Sequence, residues 1–215
     1  MSPFAKKLPF PFTPMHGAYV LLLFYAVGVA GIVSPWSAQF RFLTPYNLLL
    51  SAFVLLAFHR KYDGKFWGFL ISCVALGFGS EWLGVHTAII FGHYSYGSVL
   101  GFKLDKIPIV IGLNWYLLAY ITVDLISRIK IPIGVKVILG AALMTGMDYL
   151  IEPVAIRLGF WYWHSGVIPM SNYLGWFIVS LPLQWIGHKY YSGNNPVAPR
   201  LFIAMLFFFL TLHFI

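Results

Sequence analysis

Residues 132–151 read PIGVKVILGAALMTGMDYLI, and Glu152 follows directly. As a helix rising 1.5 Å per residue, this run is about 30 Å long, the thickness of a bilayer's hydrocarbon core. Asp148 and Glu152 close it one helical turn apart on one face. Glu81 ends a second such run, so three carboxyls stand where an ion would lose its hydration and the neutral acid is favoured. A neutral carboxyl in apolar surroundings is a candidate acid catalyst. The plainer alternative is that these groups hydrogen-bond helices together or pair with Arg157.

Working outward, 60% of the 215 residues are hydrophobic and 9% charged, with a mean hydropathy of +0.81. Soluble domains carry about 25% charged residues, so this is the composition of an integral membrane protein. The first apolar run, residues 19–33, lacks a small-residue cleavage site and precedes further runs, so it reads as a retained helix. The single Cys73 permits no internal disulfide. A net charge of +8 is scattered at the ends of apolar runs rather than gathered in a block, which argues against nucleic acid as a partner.

Seven apolar segments separate at residues 17–33, 46–59, 66–88, 107–126, 132–151, 172–187 and 199–215. The second, sixth and seventh lie near the lower limit of about 17 residues for a span. Lys6, Lys7, Arg60, Lys61, Lys65, Arg128, Lys130, Lys136, Lys189 and Arg200 fall on one side of this arrangement; only Arg41, Lys103, Lys106 and Arg157 fall on the other. The positive-inside rule then sets the N-terminus in the cytoplasm. The expectation is an all-α, polytopic bundle of about seven transmembrane helices, one domain over residues 1–215, in a bacterial-type plasma (inner) membrane. Thr44 before Pro45 reads as a cap followed by a first-turn proline, Ser171 or Asn172 as a cap of the sixth helix, and Pro182 as a kink within it. Asp63 reads as a turn residue.

The two long outward connections look alike. Glu81, FGHYSYG at residues 91–97, Ile107-Pro108 and Asn114-Trp115 in the first answer to Glu152, FWYWHSG at residues 160–166, Ile168-Pro169, Asn172 and Trp176 in the second. Such a parallel repeat is related by an axis along the membrane normal. Glu81 lies sixteen residues beyond Lys65 and Asp148 sixteen beyond Pro132, which places both about 24 Å up their helices and at one depth.

Three acids ringed by Trp82, Tyr94, Tyr96, Trp115, Trp161, Tyr162, Trp163 and Trp176 suit protonation of an isolated alkene, because aromatic faces stabilise the resulting cation by about 2 kcal/mol or more when desolvated. A second carboxylate could then orient water or remove a proton, which separates a hydratase from a cyclase or other prenyl-chain enzyme. The same aromatics also serve as interfacial anchors. His86, His93 and His164 lie on the acid side, but no paired-histidine motif accompanies them and no metal site is assigned. Asp124 and Arg128 read as a structural i, i+4 ion pair. The absence of a phosphate loop, a dinucleotide fingerprint or a GxSxG elbow argues against nucleotide cofactors and serine hydrolysis. A retinal protein would need a Lys in the last span, which has none; a small proton-coupled transporter would need acids on both sides, and here they gather on one.

The pattern Asp148-x-x-x-Glu152-Pro153-x-Ala155-x-x-x-Gly159-x-Trp161-x-Trp163, continuing Pro169-x-Ser171-Asn172-x-x-Gly175-Trp176, resembles the signature of the membrane carotenoid 1,2-hydratase family. Glu81-x-x-Gly84-Val85 with Phe91-Gly92-x-Tyr94-x-Tyr96 and Trp115 resembles that family's other motif, and the likeness covers the core at residues 81–184. It departs at Ala88-Ile89-Ile90, where a Gly-x-Pro turn is expected. The resemblance implies cofactor-independent addition of water to the terminal C1,2 double bond of an acyclic carotenoid, a lycopene- or γ-carotene-like polyene taken from membrane lipid. Asp148, Glu152 and Glu81 would be the catalytic residues, and Trp82, Tyr94, Tyr96, Trp115, Trp161, Trp163, Asn172 and Trp176 would line the substrate.

Overall fold

The computed structural model describes residues 12–191 and 194–215, so Lys6 and Lys7 lie outside the described residues. The chain is mostly helical. Its helices are α1 (Pro14–Val33), the short α2 (Ser37–Phe40), α3 (Thr44–Ala57), α4 (Gly64–Thr87), α5 (Val110–Ser127), α6 (Ile133–Leu158), α7 (Met170–Tyr190) and α8 (Ala198–His213). Five units are long and apolar enough to cross a membrane: α1, α2 with α3, α4, α5 and α6. The apolar α8 is shorter.

Helix α5 is the hub. Every residue at positions 115–124 is buried, as expected of a helix apolar all round and packed on all sides. Around it, α6 packs most extensively on α7, with α4 against α5 and α1 against α8. Small residues set the closest approaches. A Cβ added at Gly77 of α4 would lie 2.4 Å from Cγ of Trp115, so only glycine lets that indole lie flat against α4.

The helix ends correct several expectations. Thr44 does not cap α3: the chain enters from a 3-10 turn at Arg41–Leu43 already helical, and Leu43 holds the cap position, with Pro45 in the first turn as expected. Pro169 precedes α7, while Ser171 donates to the Phe91 carbonyl and Asn172 turns inward. Asp63, read as a turn residue, caps α4 by accepting from the Lys65 and Phe66 amides, both at 3.1 Å. Helix α6 runs on through Pro153 to Leu158, a turn and more past the expected end, and α7 runs through Pro182.

The helical bundle carries two short ribbons. Strand β1 (Tyr94–Tyr96) pairs antiparallel with β4 (Trp161–Trp163), and β2 (Lys103–Leu104) with β3 (Ile107–Pro108). The first ribbon joins the two aromatic loops in the register Tyr94 to Trp163, Ser95 to Tyr162 and Tyr96 to Trp161. Alternation along a strand sends Tyr94, Tyr96, Trp161 and Trp163 to the face towards the helices and leaves Ser95 and Tyr162 outside.

At the opposite end of the bundle, Asp124 and Arg128 form the expected ion pair at 2.6 Å. Asp124 also accepts from the Asn195 amide at 2.7 Å and the Tyr191 hydroxyl at 2.5 Å. Such satisfaction is required of a buried carboxylate, since leaving it alone would cost about 3–5 kcal/mol.

Candidate active site

Helices α4 and α6 deliver Glu81, Asp148 and Glu152 to one buried chamber beneath the β1–β4 ribbon. Glu81 accepts from three donors: the Tyr94 hydroxyl, the Tyr96 hydroxyl at 2.7 Å and Trp115 Nε1 at 3.0 Å. Glu152 accepts from Trp161 Nε1 at 3.0 Å and Trp163 Nε1 at 2.8 Å, both on Oε2, and from Asn172 at 3.2 Å on Oε1. Each glutamate is thus held by the two inward aromatics of the loop that follows its own helix. Asn172 bridges the remaining pair, donating also to Asp148 Oδ2 at 2.7 Å.

One carboxyl oxygen stands apart. Asp148 Oδ1 is buried with no hydrogen-bond partner, while the other five oxygens of the three acids each accept at least one bond. A lone buried polar atom costs about 1–3 kcal/mol. Arg157, the alternative ion partner, turns away and donates to the Leu212 carbonyl. Among the described residues no ion pair involves any of the three acids.

The indoles of Trp115 and Trp176 stack directly on each other in the chamber wall, at 3.9 Å and 13°. Burial, and next to it the Glu81 carboxylate, push the Tyr94 and Tyr96 phenols well above the ordinary tyrosine range, so both remain donors at neutral pH. The chamber volume is about 20 Å³, close to what one water needs.

Ten of the eleven residues singled out from sequence line this space; Trp82 does not. One step along α4 from Glu81, it points about 100° round the helix. It is 41% exposed, stacks on His86 and donates to Asp105 at 2.6 Å. Tyr162 is likewise on the outer face. His93 and His164 stack on each other at 3.9 Å, and neither lines the chamber. Phe91, Ile111 and Asn114 complete the wall. Asn114 was visible in sequence as the polar partner of Trp115 in the first repeated unit.

The family described as carotenoid biosynthesis protein matches residues 42–215, most of the chain and all of the chamber. The chain belongs to this family. It is also similar to the bisanhydrobacterioruberin hydratase of Haloarcula japonica, at 27% identity over 120 residues, which covers 51% of this chain and 40% of that protein. The chain therefore matches less than half the length of that curated relative. No solved structure matches it. Membership in a carotenoid biosynthesis family agrees with the long apolar helices of the chain.

Proposed function

We propose that this carotenoid biosynthesis protein is a hydratase that adds water to the terminal C1,2 double bond of an acyclic carotenoid. The observation that carries the reading is the unpartnered Oδ1 of Asp148 at a water-sized chamber. A protonated Asp148 can release its proton from that oxygen without breaking a bond to the protein, whereas Glu81 and Glu152 are surrounded by donors and suited to accept. Asp148 gives its proton to C2, and the positive charge develops at tertiary C1, facing the Trp115–Trp176 stack. Water adds to C1 and its surplus proton passes to Glu152; transfer of that proton from Glu152 back to Asp148 restores the starting state, while Asn172 holds the two carboxyls side by side.

The reading includes a seven-span topology with α7 and α8 as the sixth and seventh crossings, a cytoplasmic N-terminus, and two related units, α4–α5 and α6–α7. Antiparallel pairing of β1 with β4 about Ser95 and Tyr162 supports the two-fold relation. The test is production of Asp148→Asn in cells that accumulate lycopene, with mass analysis of the pigments. Wild type should yield a pigment heavier by one water. The variant should remain in the membrane and lose about 10²- to 10⁴-fold in rate, the usual cost of a general acid. Near wild-type hydration by Asp148→Asn would transfer the role to Glu152.

A further inference from the structure

The acid chamber cannot contain the chain whose end it would hydrate, because about 20 Å³ takes a single water. A carotenoid must lie elsewhere and present only its terminus. An apolar groove of about 230 Å³ adjoins the chamber, bounded by α1, α3 and α8. Asn114 lines both spaces, and Phe160 in the groove directly precedes Trp161 in the chamber. We infer that this groove holds the linear hydrocarbon part of the substrate, with the reacting end turned past Asn114 towards Asp148. The inference rests on the hydratase reading for the identity of the occupant.

Three features favour a membrane-dissolved hydrocarbon there. The lining is mostly apolar, with Phe24, Phe40, Met205 and Phe208 prominent; Thr44, Tyr46, Asn47 and Asn114 also reach it, and the Tyr25 hydroxyl is hydrogen-bonded to Ser51 at 3.3 Å. Tyr25 lies near the middle of α1, Gly28 one turn further on, and Met205 midway along α8, so the groove opens at the depth of lipid tails. Gly28 keeps it wide: a Cβ there would stand 3.2 Å from the Phe208 ring.

The test separates binding from turnover. Protein is purified from lycopene-accumulating cells in the Asp148→Asn background, and bound pigment is read as visible absorbance per protein. Asp148→Asn alone should retain pigment. Adding Gly28→Trp, or Val27→Trp from the lipid-facing side of the same groove, should lower it at least about tenfold, equivalent to about 1.4 kcal/mol. Adding Leu49→Trp, which fills a neighbouring groove beside α3 that does not reach the chamber, should leave it unchanged. Elution as a monodisperse particle checks folding of each variant. Full pigment retention by both Gly28→Trp and Val27→Trp, loss with Leu49→Trp instead, or extraction of phospholipid acyl chains with no pigment from Asp148→Asn would overturn the groove assignment. The two readings fail separately. A wild type that hydrates nothing but binds pigment in a Gly28-dependent way keeps the groove and removes the hydratase; normal hydration by Gly28→Trp does the reverse.

Discussion

Asn172 donates to Asp148 and to Glu152 through the same nitrogen, yet the two acids have unequal surroundings: Glu152 has two further indole donors and Asp148 has none. That inequality predicts an order among substitutions. Trp161→Leu or Trp163→Leu removes one of three donors to Glu152 and one aromatic face, and should slow hydration by on the order of tenfold, as a charge-assisted hydrogen bond of about 1.5–3 kcal/mol implies. Asp148→Asn should be far more severe. Pigment time courses of the three variants side by side check the ranking, and a tryptophan variant as inactive as Asp148→Asn would reverse it. The acids were legible from sequence because carboxyls are costly in an apolar run. Trp82 was misplaced because nearness to Glu81 in sequence was taken for nearness in space, although adjacent helical residues face different ways.

At the scale of elements, α4 and α6 end alike seven residues past their glutamates, each in the left-handed conformation: Ala88 at φ 58° and Gly159 at φ 73°. A side chain costs about 1–2 kcal/mol there, and glycine escapes it. Ala88→Gly should therefore stabilise the protein by up to about 1 kcal/mol, the penalty being partly offset by the entropy of the freer unfolded chain. A rise in thermal midpoint in detergent measures this, and a fall would show that the Ala88 methyl packs usefully. The missing glycine was a departure visible in the sequence, whereas the β1–β4 ribbon was not, because three-residue strands carry too little alternation to register.

A second prediction at this scale concerns the turn after α3. His59 Nε2 donates to the Lys61 carbonyl at 2.9 Å, so Nδ1 is left to accept from the Tyr120 hydroxyl at 2.7 Å. Burial lowers its pKa below 6.5, outweighing the pull of the Lys61 carbonyl and of Asp63 and Asp124. The unfolded chain then binds the proton more tightly than the folded one, so stability is lost as pH falls through 6.5 towards the depressed value. Thermal midpoints between pH 7.5 and about 5 should decline, and His59→Gln, which keeps one donor and one acceptor, should flatten that decline. An unchanged slope would mean that other groups carry it.

Basic residues are unevenly divided between the two ends of the molecule. Arg60, Lys61, Lys65, Arg128, Lys130, Lys136, Lys189 and Arg200 flank the ends of α3, α5 and α7 and the starts of α4, α6 and α8; Arg41, Lys103, Lys106 and Arg157 share the end with the acid chamber. The long apolar helices were legible in the sequence because hydropathy over a span is a sum that local errors hardly change. A difference between α4 and α6 was harder to read: four residues before Glu81, in the place that Asp148 holds before Glu152, stands Gly77, taken up by the Trp115 ring. Only α6 then carries a second acid one turn before its glutamate, and under the proposed mechanism that acid is the proton donor. If positive charge faces the cytoplasm, the chamber and its ribbon face outward. With Cys73, which is buried, replaced by alanine, cysteines at the exposed positions Ser95 and Ser165 should react with an impermeant maleimide added to intact cells, and a cysteine at exposed Lys130 only after lysis. The reverse pattern would turn the protein over in the membrane while leaving its bundle and its chamber intact, and the attacking water would then come from the cytoplasmic side.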